Sequence, residues 1–556
     1  MTTALDQAER LKTQGNTLFA KNDFTGAYQK YTEAIKHDKK NAILYCNRAA
    51  CAFGLNRYID SCTDAATATE LDPSYAKAWS RLAQAQSSLD RPDQALRSWK
   101  RAVSALPVEN LTPAQKKQRE SYTAELAVVQ AKAADIEANP KKPKDAVTMS
   151  KPEQIPWNRA AALIPGLQAT RQWNSSAWVI WKAYLVKEWQ DAIENMKMGR
   201  LVRNPAGAPA GAQGYFGRLG VIVGLTNALI SDDRVFHISD QNFLDLYNKQ
   251  ILFEMTQTRA WGDSGARKVM EQIPARLRIG GWDAVRPAIS ITVRAWMMRG
   301  FMEEKLKNNV ETALEFYTSA LEVLQWGKEL WKDVSFDDKG AVFRETFIRG
   351  VKCMRLDAFI AAYYKHPGED SKFPLKEILA GGDDLLAELG SAPQEPAQSN
   401  AEDIAFCLSF FRYPRGQAHA TRGFYYHHMG IIKRKKEGLS EELMVDHMKA
   451  SQEYLAAASH YPIDDEKHAW YLHVAFNVQF EVGGPVSYLL MILNKLHDAI
   501  PRMKPIWEFS ADARSGVHDA LEADMKSRGE LLRMAEGKTE DELSGMVIRR
   551  DWVQEG

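Results

Sequence analysis

The chain has little of what marks a secreted, membrane or nucleic-acid-binding protein. Its 556 residues include only five cysteines and no C-x-x-C pair, so neither a disulfide framework nor a zinc module is expected. Its formal net charge is +1, which gives no overall field toward nucleic acid or anionic lipid. The most apolar run, residues 219–230, is too short to span a bilayer. We therefore expect no nucleic-acid partner, no membrane insertion and a cytoplasmic location, with the nucleus as a further possibility.

Small residues recur at a fixed spacing near the N-terminus. Ala27, Ser61 and Ala95 are 34 residues apart, and prolines at 73 and 107 close the second and third units. Two more triplets share the register: Tyr31, Ala65 and Trp99, then Ala34, Ala68 and Ala102. Small residues let two helices approach closely, and proline ends the second helix of a pair. This is the tetratricopeptide pattern, and three repeats predict six helices in a superhelix with one concave face.

A seventh helix is predicted to cover the end of this superhelix. Thr112-Pro113-Ala114-Gln115 has the spacing of a capping box, and helical periodicity continues to about Glu137. Residues 139–156 are rich in proline and lysine and are predicted to be a linker. These patterns define an N-terminal domain over residues 1–138 and a C-terminal region over 157–556.

Five polar residues are predicted to line the concave face. Lys12 and Asn16 lie one turn apart on the first helix of repeat one, and Lys77 and Arg81 do so in repeat three. Asn47 lies on the first helix of repeat two. In the 34-residue register none of the five occupies a packed position, so two amides and three cations are expected to converge on one groove.

This set resembles the dicarboxylate-clamp subclass of tetratricopeptide domains, over residues 8 to about 110. That subclass occurs in co-chaperones that bind the Glu-Glu-Val-Asp terminus of the cytosolic seventy- and ninety-kilodalton heat-shock chaperones. The resemblance implies that Lys12, Asn16, Asn47 and Lys77 hold the two carboxylates of the terminal aspartate, and that Arg81 contacts the peptide beside it. Charge-assisted hydrogen bonds of this kind contribute about 1.5–3 kcal/mol each.

The region 157–556 shows helical spacing but no family resemblance. Ala313, Tyr317 and Ala320 repeat the seven-residue span of repeat one. The same span recurs at Ala450, Tyr454 and Ala457, followed by Pro462. We predict an all-α chain whose C-terminal region consists of degenerate helix pairs, with a second division near 390–403. An unrelated helical bundle is the alternative.

Sequence strings that resemble catalytic motifs lack the context they need. Ser264, in Gly-Asp-Ser-Gly, is expected in a loop, and Gly382-Asp383-Asp384 at the start of a helix. Residues 204–220 are glycine-rich, but no strand is expected before them, so a phosphate cradle is disfavoured. Seven histidines fall between 419 and 473 without an i,i+4 pair, so no metal site is expected. They are His419, His427, His428, His447, His460, His468 and His473.

These observations favour a non-enzymatic adaptor without cofactor, metal or catalytic residues. Its N-terminal domain would bind the acidic C-terminal peptide of a heat-shock chaperone, and its C-terminal region would recruit a client or partner. The tryptophans of that region are expected in the core, with a minority lining a groove for a client segment. A chaperone-docked enzyme with an unfamiliar helical catalytic domain is the competing interpretation.

Overall fold

The computed structural model describes residues 4–138, 151–185, 188–203, 213–238, 242–262, 264–391, 400–438 and 440–550. The chain forms two compact units: unit 1 is Met1–Asp145 with Met255–Phe343, and unit 2 is Ala146–Glu254 with Arg344–Gly556. The predicted boundaries assign residues 255–343 to the C-terminal region, whereas their contacts lie with the N-terminal repeats. Most of the predicted linker, residues 139–150, lies outside the described residues.

Helices make up nearly all of the regular structure, which confirms the all-α class. The first seven are α1 (Ala4–Ala20), α2 (Phe24–His37), α3 (Ala42–Gly54), α4 (Tyr58–Leu71), α5 (Ala76–Ser88), α6 (Pro92–Ser104) and α7 (Pro113–Ala138). The next nine are α8 (Pro156–Ala169), α9 (Ala177–Leu185), α10 (Trp189–Lys197), α11 (Val221–Ser231), α12 (Phe243–Thr258), α13 (Ala266–Lys305), α14 (Val310–Leu330), α15 (Phe336–Lys339) and α16 (Glu345–Lys365). The remainder are α17 (Leu375–Ser391), α18 (Ala401–Cys407), α19 (Tyr413–Glu437), α20 (Glu441–Ser459), α21 (Glu466–Val482), α22 (Val486–Trp507), α23 (Ala511–Arg514), α24 (Val517–Ala535) and α25 (Glu540–Gly545).

Within the described ranges, four short strands form two antiparallel pairs. Strand β1 (Arg200–Arg203) pairs with β2 (Gln213–Phe216), with Arg200 opposite Phe216. Strand β3 (Gly484–Pro485) pairs with β4 (Val547–Ile548). The prediction that no strand precedes the glycine-rich segment 204–220 is therefore wrong. Its own residues 204–212 lie outside the described part of the chain.

The three N-terminal repeats have the predicted register. All nine small and aromatic positions of the three triplets are buried, and α1–α6 pack as consecutive pairs. Asn22, Asn56 and Asp90 occupy the turn within each pair, again 34 residues apart, with φ of 60°, 58° and 51°. Asn and Asp tolerate this left-handed conformation better than other non-glycine residues. The turn is thus a second repeat signal, independent of the packed positions.

Helix α7 covers the last repeat as predicted. The Gln115 backbone N–H donates to Thr112 Oγ1, and the Thr112 N–H donates to Gln115 Oε1 at 3.0 Å, which completes the capping box. Tyr122 and Val129 are buried against Trp99 of α6. The apolar surface that an unstacked final repeat would expose is covered in this way.

The pair α13–α14 has the geometry of a fourth repeat. Asn308 has φ of 55° and precedes Ala313 by five residues, the same separation as Asn22 and Ala27. A Cβ on Gly300 would lie 2.7 Å from the Tyr317 ring, just as a Cβ on Gly15 would lie 2.8 Å from the ring of Tyr31. A glycine on one helix and a tyrosine on its partner therefore set the same close approach in both pairs.

This pair contacts the second repeat of unit 1 through buried polar groups. The backbone N–H of Ile59, in the first turn of α4, donates to the carboxylate of Glu315. The guanidinium of Arg267, at the start of α13, donates to Asp64. Glu322 pairs with Arg57 at 2.8 Å. Helix pair α13–α14 thus docks on α4, so repeat geometry recurs here without continuing the N-terminal stack on α7.

Unit 2 contains a run of helices that pack largely in sequence order. Contacts follow the order α16, α17, α19, α20, α21, α22 and α24, and α8 packs against α22. Ala450 is fully buried, and the ring of Tyr454 would lie 3.0 Å from a Cβ on Gly423 of α19. The small and aromatic residues singled out in this segment therefore seat one helix against another, as predicted.

Other sequence expectations are met or corrected by the packing. Ser264 lies in the loop before α13, as expected, but Gly382–Asp384 lies inside α17 and not at its start. A Cβ on Gly382 would lie 3.1 Å from the Ala418 carbonyl oxygen, so α17 and α19 approach each other closely at this point. Each tryptophan of the C-terminal region named below is buried or half-buried, so no exposed tryptophan groove forms among them. They are Trp173, Trp178, Trp181, Trp189, Trp261, Trp282, Trp296, Trp326, Trp331, Trp470 and Trp507.

The apolar segment 219–230 forms helix α11, packed inside unit 2. The carboxylate of Glu254 accepts hydrogen bonds from the N–H groups of Gly220 (3.1 Å) and Ile222 (3.0 Å) at the N-terminus of this helix. An internal carboxylate thus takes the place that an anionic ligand would need. Within the described residues, none of the helices is both long and apolar enough to cross a membrane.

Candidate functional site

The five predicted clamp residues lie on the first helices of the three repeats, α1, α3 and α5. Asn16 and Lys77 are exposed, and Lys12, Asn47 and Arg81 are half-buried. Helices α3 and α5 contact each other directly, as the inner helices of a superhelix do. None of the five side chains is fully buried, so each retains some solvent-accessible surface.

Asn16 connects the first two repeats. Its Oδ1 accepts hydrogen bonds from the Tyr31 hydroxyl (2.7 Å) and from Nδ2 of Asn47 (3.3 Å). With these two hydrogen bonds on its oxygen, the Nδ2 group of Asn16 has no protein acceptor among the described residues. An exposed amide whose oxygen is occupied can only donate, so Asn16 is oriented to bind an acceptor such as a carboxylate.

Lys12 already has an acidic neighbour on the same helix. Its Nζ lies 2.7 Å from Oε2 of Glu9, one turn earlier, and the Glu9 side chain is 63% exposed. A pair this exposed contributes less than about 1 kcal/mol, so a bidentate ligand can displace Glu9 at small cost. Sequence reasoning did not identify Glu9 as a competitor for the clamp.

Lys77 and Arg81 place positive charge beside α3. Burial raises the pKa of the Cys46 thiol, while a hydrogen bond with Tyr75 and the charges of Lys77 and Arg81 lower it. The Arg81 guanidinium donates to Gln84 at 3.3 Å. No carboxylate of the described residues forms an ion pair with Lys77, so its charge is available to a ligand.

A buried ion pair fixes α3 behind the groove. Arg48, which follows Asn47, donates through Nε and Nη2 to the two carboxylate oxygens of Asp64, both at 2.8 Å. Its Nη1 donates to Thr32 of α2 at 3.2 Å. These contacts hold the backbone of Asn47 between the outer helices α2 and α4. Sequence reasoning assigned no role to Arg48, whose counterparts in the 34-residue register are the exposed Gln14 and the buried Leu82.

The groove is therefore rich in donors and cations. Asn16 and Asn47 supply amide N–H groups, and Lys12, Lys77 and Arg81 supply charge, whereas the nearest carboxylate, Glu9, is exposed and displaceable. Such a set suits an anion with two carboxylates a few ångströms apart. The structure brings Asn16 and Asn47 into direct contact. That Lys12, Lys77 and Arg81 converge on the same groove stays a prediction of the 34-residue register.

Comparisons with known proteins show which sequences and structures this domain resembles. The chain is 42% identical over 115 residues to the small glutamine-rich tetratricopeptide repeat-containing protein 2 of Saccharomyces cerevisiae, across 21% of this chain and 33% of that protein. It is 44% identical over 88 residues to the heat shock protein sti1 homolog of Schizosaccharomyces pombe, across 16% of this chain and 15% of that protein. Among solved structures, the Sgt2 tetratricopeptide domain from Aspergillus fumigatus is 26% identical with a TM-score of 0.21, over 26% of this chain and 90% of that one.

The chain thus spans a third or less of the length of these two curated relatives. No protein-family model matches it. The likeness to curated relatives agrees with the repeat register, the left-handed turns and the capping helix. The N-terminal part of this chain is a tetratricopeptide-repeat domain, similar in sequence to parts of the two curated relatives.

Proposed function

We propose that this protein is a non-enzymatic adaptor whose clamp residues bind the acidic C-terminal peptide of a seventy- or ninety-kilodalton heat-shock chaperone. The observation that carries the proposal is the donor-only face of Asn16, beside Asn47 and three cations. A C-terminal aspartate offers a main-chain and a side-chain carboxylate, which match these donors. The similarity to a heat shock protein sti1 homolog supports the same class of partner.

The terminal carboxylate gives this proposal its sharpest test. A peptide ending in Glu-Glu-Val-Asp, titrated into the full chain, should bind, and its C-terminally amidated form should bind at least about tenfold more weakly, because one carboxylate is lost. Affinity should also fall as salt is added, since the groove is solvent-accessible. Equal affinity for the two peptides would contradict the clamp.

Lys77→Ala has a matched control in Lys100→Ala. Both lysines are exposed, but Lys100 lies on the outer helix α6 and Lys77 on the inner helix α5. Removing Lys77 should weaken peptide binding by about 1.5–3 kcal/mol, and removing Lys100 should leave it unchanged. If the two variants lose the same affinity, the effect reflects net charge and not the groove.

The remainder of the proposal concerns the C-terminal region and the location of the protein. We propose that unit 2 recruits a client or partner protein, in the cytoplasm and also in the nucleus. Capture of partners by the full chain, compared with a chain that carries Asn16→Asp, separates the two activities. Chaperones should be lost from the variant, while a partner of unit 2 should be retained.

A further inference from the structure

Three side chains with metal-ligand chemistry meet in unit 2, on successive helices. His427 lies on α19, His447 on α20 and Glu481 on α21, and one ligand atom of each lies within 4.8 Å of the other two. Nε2 of His427 is 3.5 Å from Oε2 of Glu481, longer than an ordinary hydrogen bond. The three helices pack in order. The packing of the three helices therefore brings the three side chains together, although no local sequence motif does.

His447 is held in the orientation that metal ligands adopt. Its Nδ1 donates to the backbone oxygen of Leu443 at 3.0 Å, and the side chain is fully buried. The Leu443 oxygen can only accept a hydrogen bond, so in the neutral ring the proton is on Nδ1. With the proton on Nδ1, Nε2 has a free lone pair, and that atom is buried without a hydrogen-bond partner. A second-shell carbonyl on the far nitrogen is usual for a ligating histidine.

The other two residues complete the group. Nε2 of His427 is also buried without a hydrogen-bond partner. Oε1 of Glu481 accepts from Arg434 at 2.9 Å, which orients the carboxylate and leaves Oε2 toward the histidines. Two buried imidazole nitrogens without partners are costly in an ordinary interior, and each such group calls for an explanation.

The backbone makes room for the buried ring. A Cβ on Gly430 of α19 would lie 2.4 Å from Cε1 of His447, so any larger residue there would displace the ring. Glycine at this position lets α19 pass close enough for the imidazole to reach His427. An apolar side chain in place of His447 would fill the same space without leaving an unpaired nitrogen.

We propose that His427, His447 and Glu481 bind a divalent transition-metal ion, for which zinc is the probe. Two imidazoles and one carboxylate are a donor set that zinc accepts, with ligand bonds of about 2.0–2.2 Å. Ligand atoms around a tetrahedral ion would lie about 3.3 Å apart, so the group contracts by at most about 1.5 Å on binding. Three protein ligands leave one coordination position of the ion open to water or another small ligand. An adaptor that only binds a peptide does not need such an open position.

Zinc binding by the full chain tests the site. The purified protein, stripped with a chelator, is titrated with Zn²⁺ in competition with a colorimetric chelator. The wild-type chain should bind one Zn²⁺ ion that Glu481→Gln and His427→Gln bind at least about 100-fold more weakly, since a direct ligand matters at least as much as its second-shell partner. Co²⁺ in place of Zn²⁺ should give visible absorption bands in the wild type that both variants lose.

Two matched variants serve as controls. His428→Gln changes the neighbouring ring, which packs on Phe424, and Glu441→Gln removes an exposed carboxylate from α20. Both should bind Zn²⁺ as the wild type does. His447→Gln alters a fully buried group and can fail to fold, so the decision rests on the two half-buried ligands, His427 and Glu481. Wild-type affinity in Glu481→Gln and His427→Gln, or the absence of a site in the wild type, would overturn the proposal.

Discussion

Replacing Asn16 by aspartate should strongly weaken peptide binding without disturbing the fold. Aspartate keeps an oxygen that accepts from the Tyr31 hydroxyl and from Asn47, the two contacts that Asn16 makes in the structure. It replaces the free amide donor by a negative charge that faces the ligand. We therefore expect the free energy of unfolding to change by less than about 1 kcal/mol, as for other substitutions that keep their contacts.

The loss of binding can be estimated from two terms. A missing charge-assisted hydrogen bond costs about 1.5–3 kcal/mol. Repulsion between two carboxylates about 4 Å apart adds about 1 kcal/mol in water and up to about 4 kcal/mol near a protein surface. Because Asn16 is exposed, the repulsion lies near the low end of that range, and the total loss of binding free energy is about 2.5–4 kcal/mol. This corresponds to an affinity weaker by about 60-fold to about 1,000-fold.

Asn16→Ala provides the comparison that excludes a trivial explanation. Alanine removes the acceptor of the Tyr31 hydroxyl and should cost about 1–2 kcal/mol of stability, but it introduces no repulsion. Calorimetric peptide titration should thus rank Asn16→Asp below Asn16→Ala in affinity, while thermal unfolding ranks them in the opposite order. If the less stable variant is also the weaker binder, or if the aspartate variant binds normally, the proposed role of Asn16 is wrong.

Three further perturbations test separate parts of the structure. Glu9→Ala should free Lys12 and tighten peptide binding by up to about fivefold, measured by calorimetry; weaker binding would contradict competition by Glu9. Burial raises the pKa of Asp90, but hydrogen bonds from two lysines outweigh this effect and lower the pKa to about 2. Since this pKa lies below the unfolded value of 3.8, wild-type stability should fall between pH 4 and 2, and Asp90→Asn should lose that dependence in acid titrations of thermal unfolding. Gly300→Ala should cost about 1–3 kcal/mol by overpacking a tyrosine ring, whereas Gly529→Ala, with open space around it, should stabilise by about 0.5–1 kcal/mol in denaturant unfolding.

The N-terminal domain was predictable because its signals are local and periodic. Each helix pair repeats the same packed positions after 34 residues, and a register read from Ala27 and Tyr31 also fixes which residues remain free for the groove. The turn residues Asn22, Asn56 and Asp90 repeat with the same period, and the sequence reading overlooked them. When these turn residues are included, the pattern extends to Asn308. This strengthens the repeat formed by α13 and α14, which Ala313 alone only suggested.

The docking of residues 255–343 on the N-terminal repeats could not be predicted in this way. It depends on single polar contacts between distant segments, such as Arg267 with Asp64 and Glu315 with Ile59. Neither arginine nor glutamate in a helix indicates a buried partner two hundred residues away, because the usual place of these side chains is the surface. The sequence therefore predicts the helix pair but not the surface it covers.

The histidine group of unit 2 is a site that local sequence patterns likewise fail to predict. A search for i,i+4 pairs assumes that two ligands share one helix, whereas His427, His447 and Glu481 come from three. Their separations of 20 and 34 residues depend on the lengths of the intervening helices and turns, which sequence reading estimates poorly. Only the packed order of α19, α20 and α21 brings them together.

Unit 1 uses neighbouring residues of α3 for two different purposes. Asn47 contacts Asn16 on the inner helix α1, while Arg48 turns toward the outer helices and binds Asp64, which also accepts from Arg267. Because successive side chains on a helix point about 100° apart, one helix can present a groove and anchor a docked helix pair at the same time. Docking of α13–α14 therefore adds a second arginine to the carboxylate that holds Arg48. The pair also reaches α5, where the Thr312 hydroxyl donates to the backbone oxygen of Ser88.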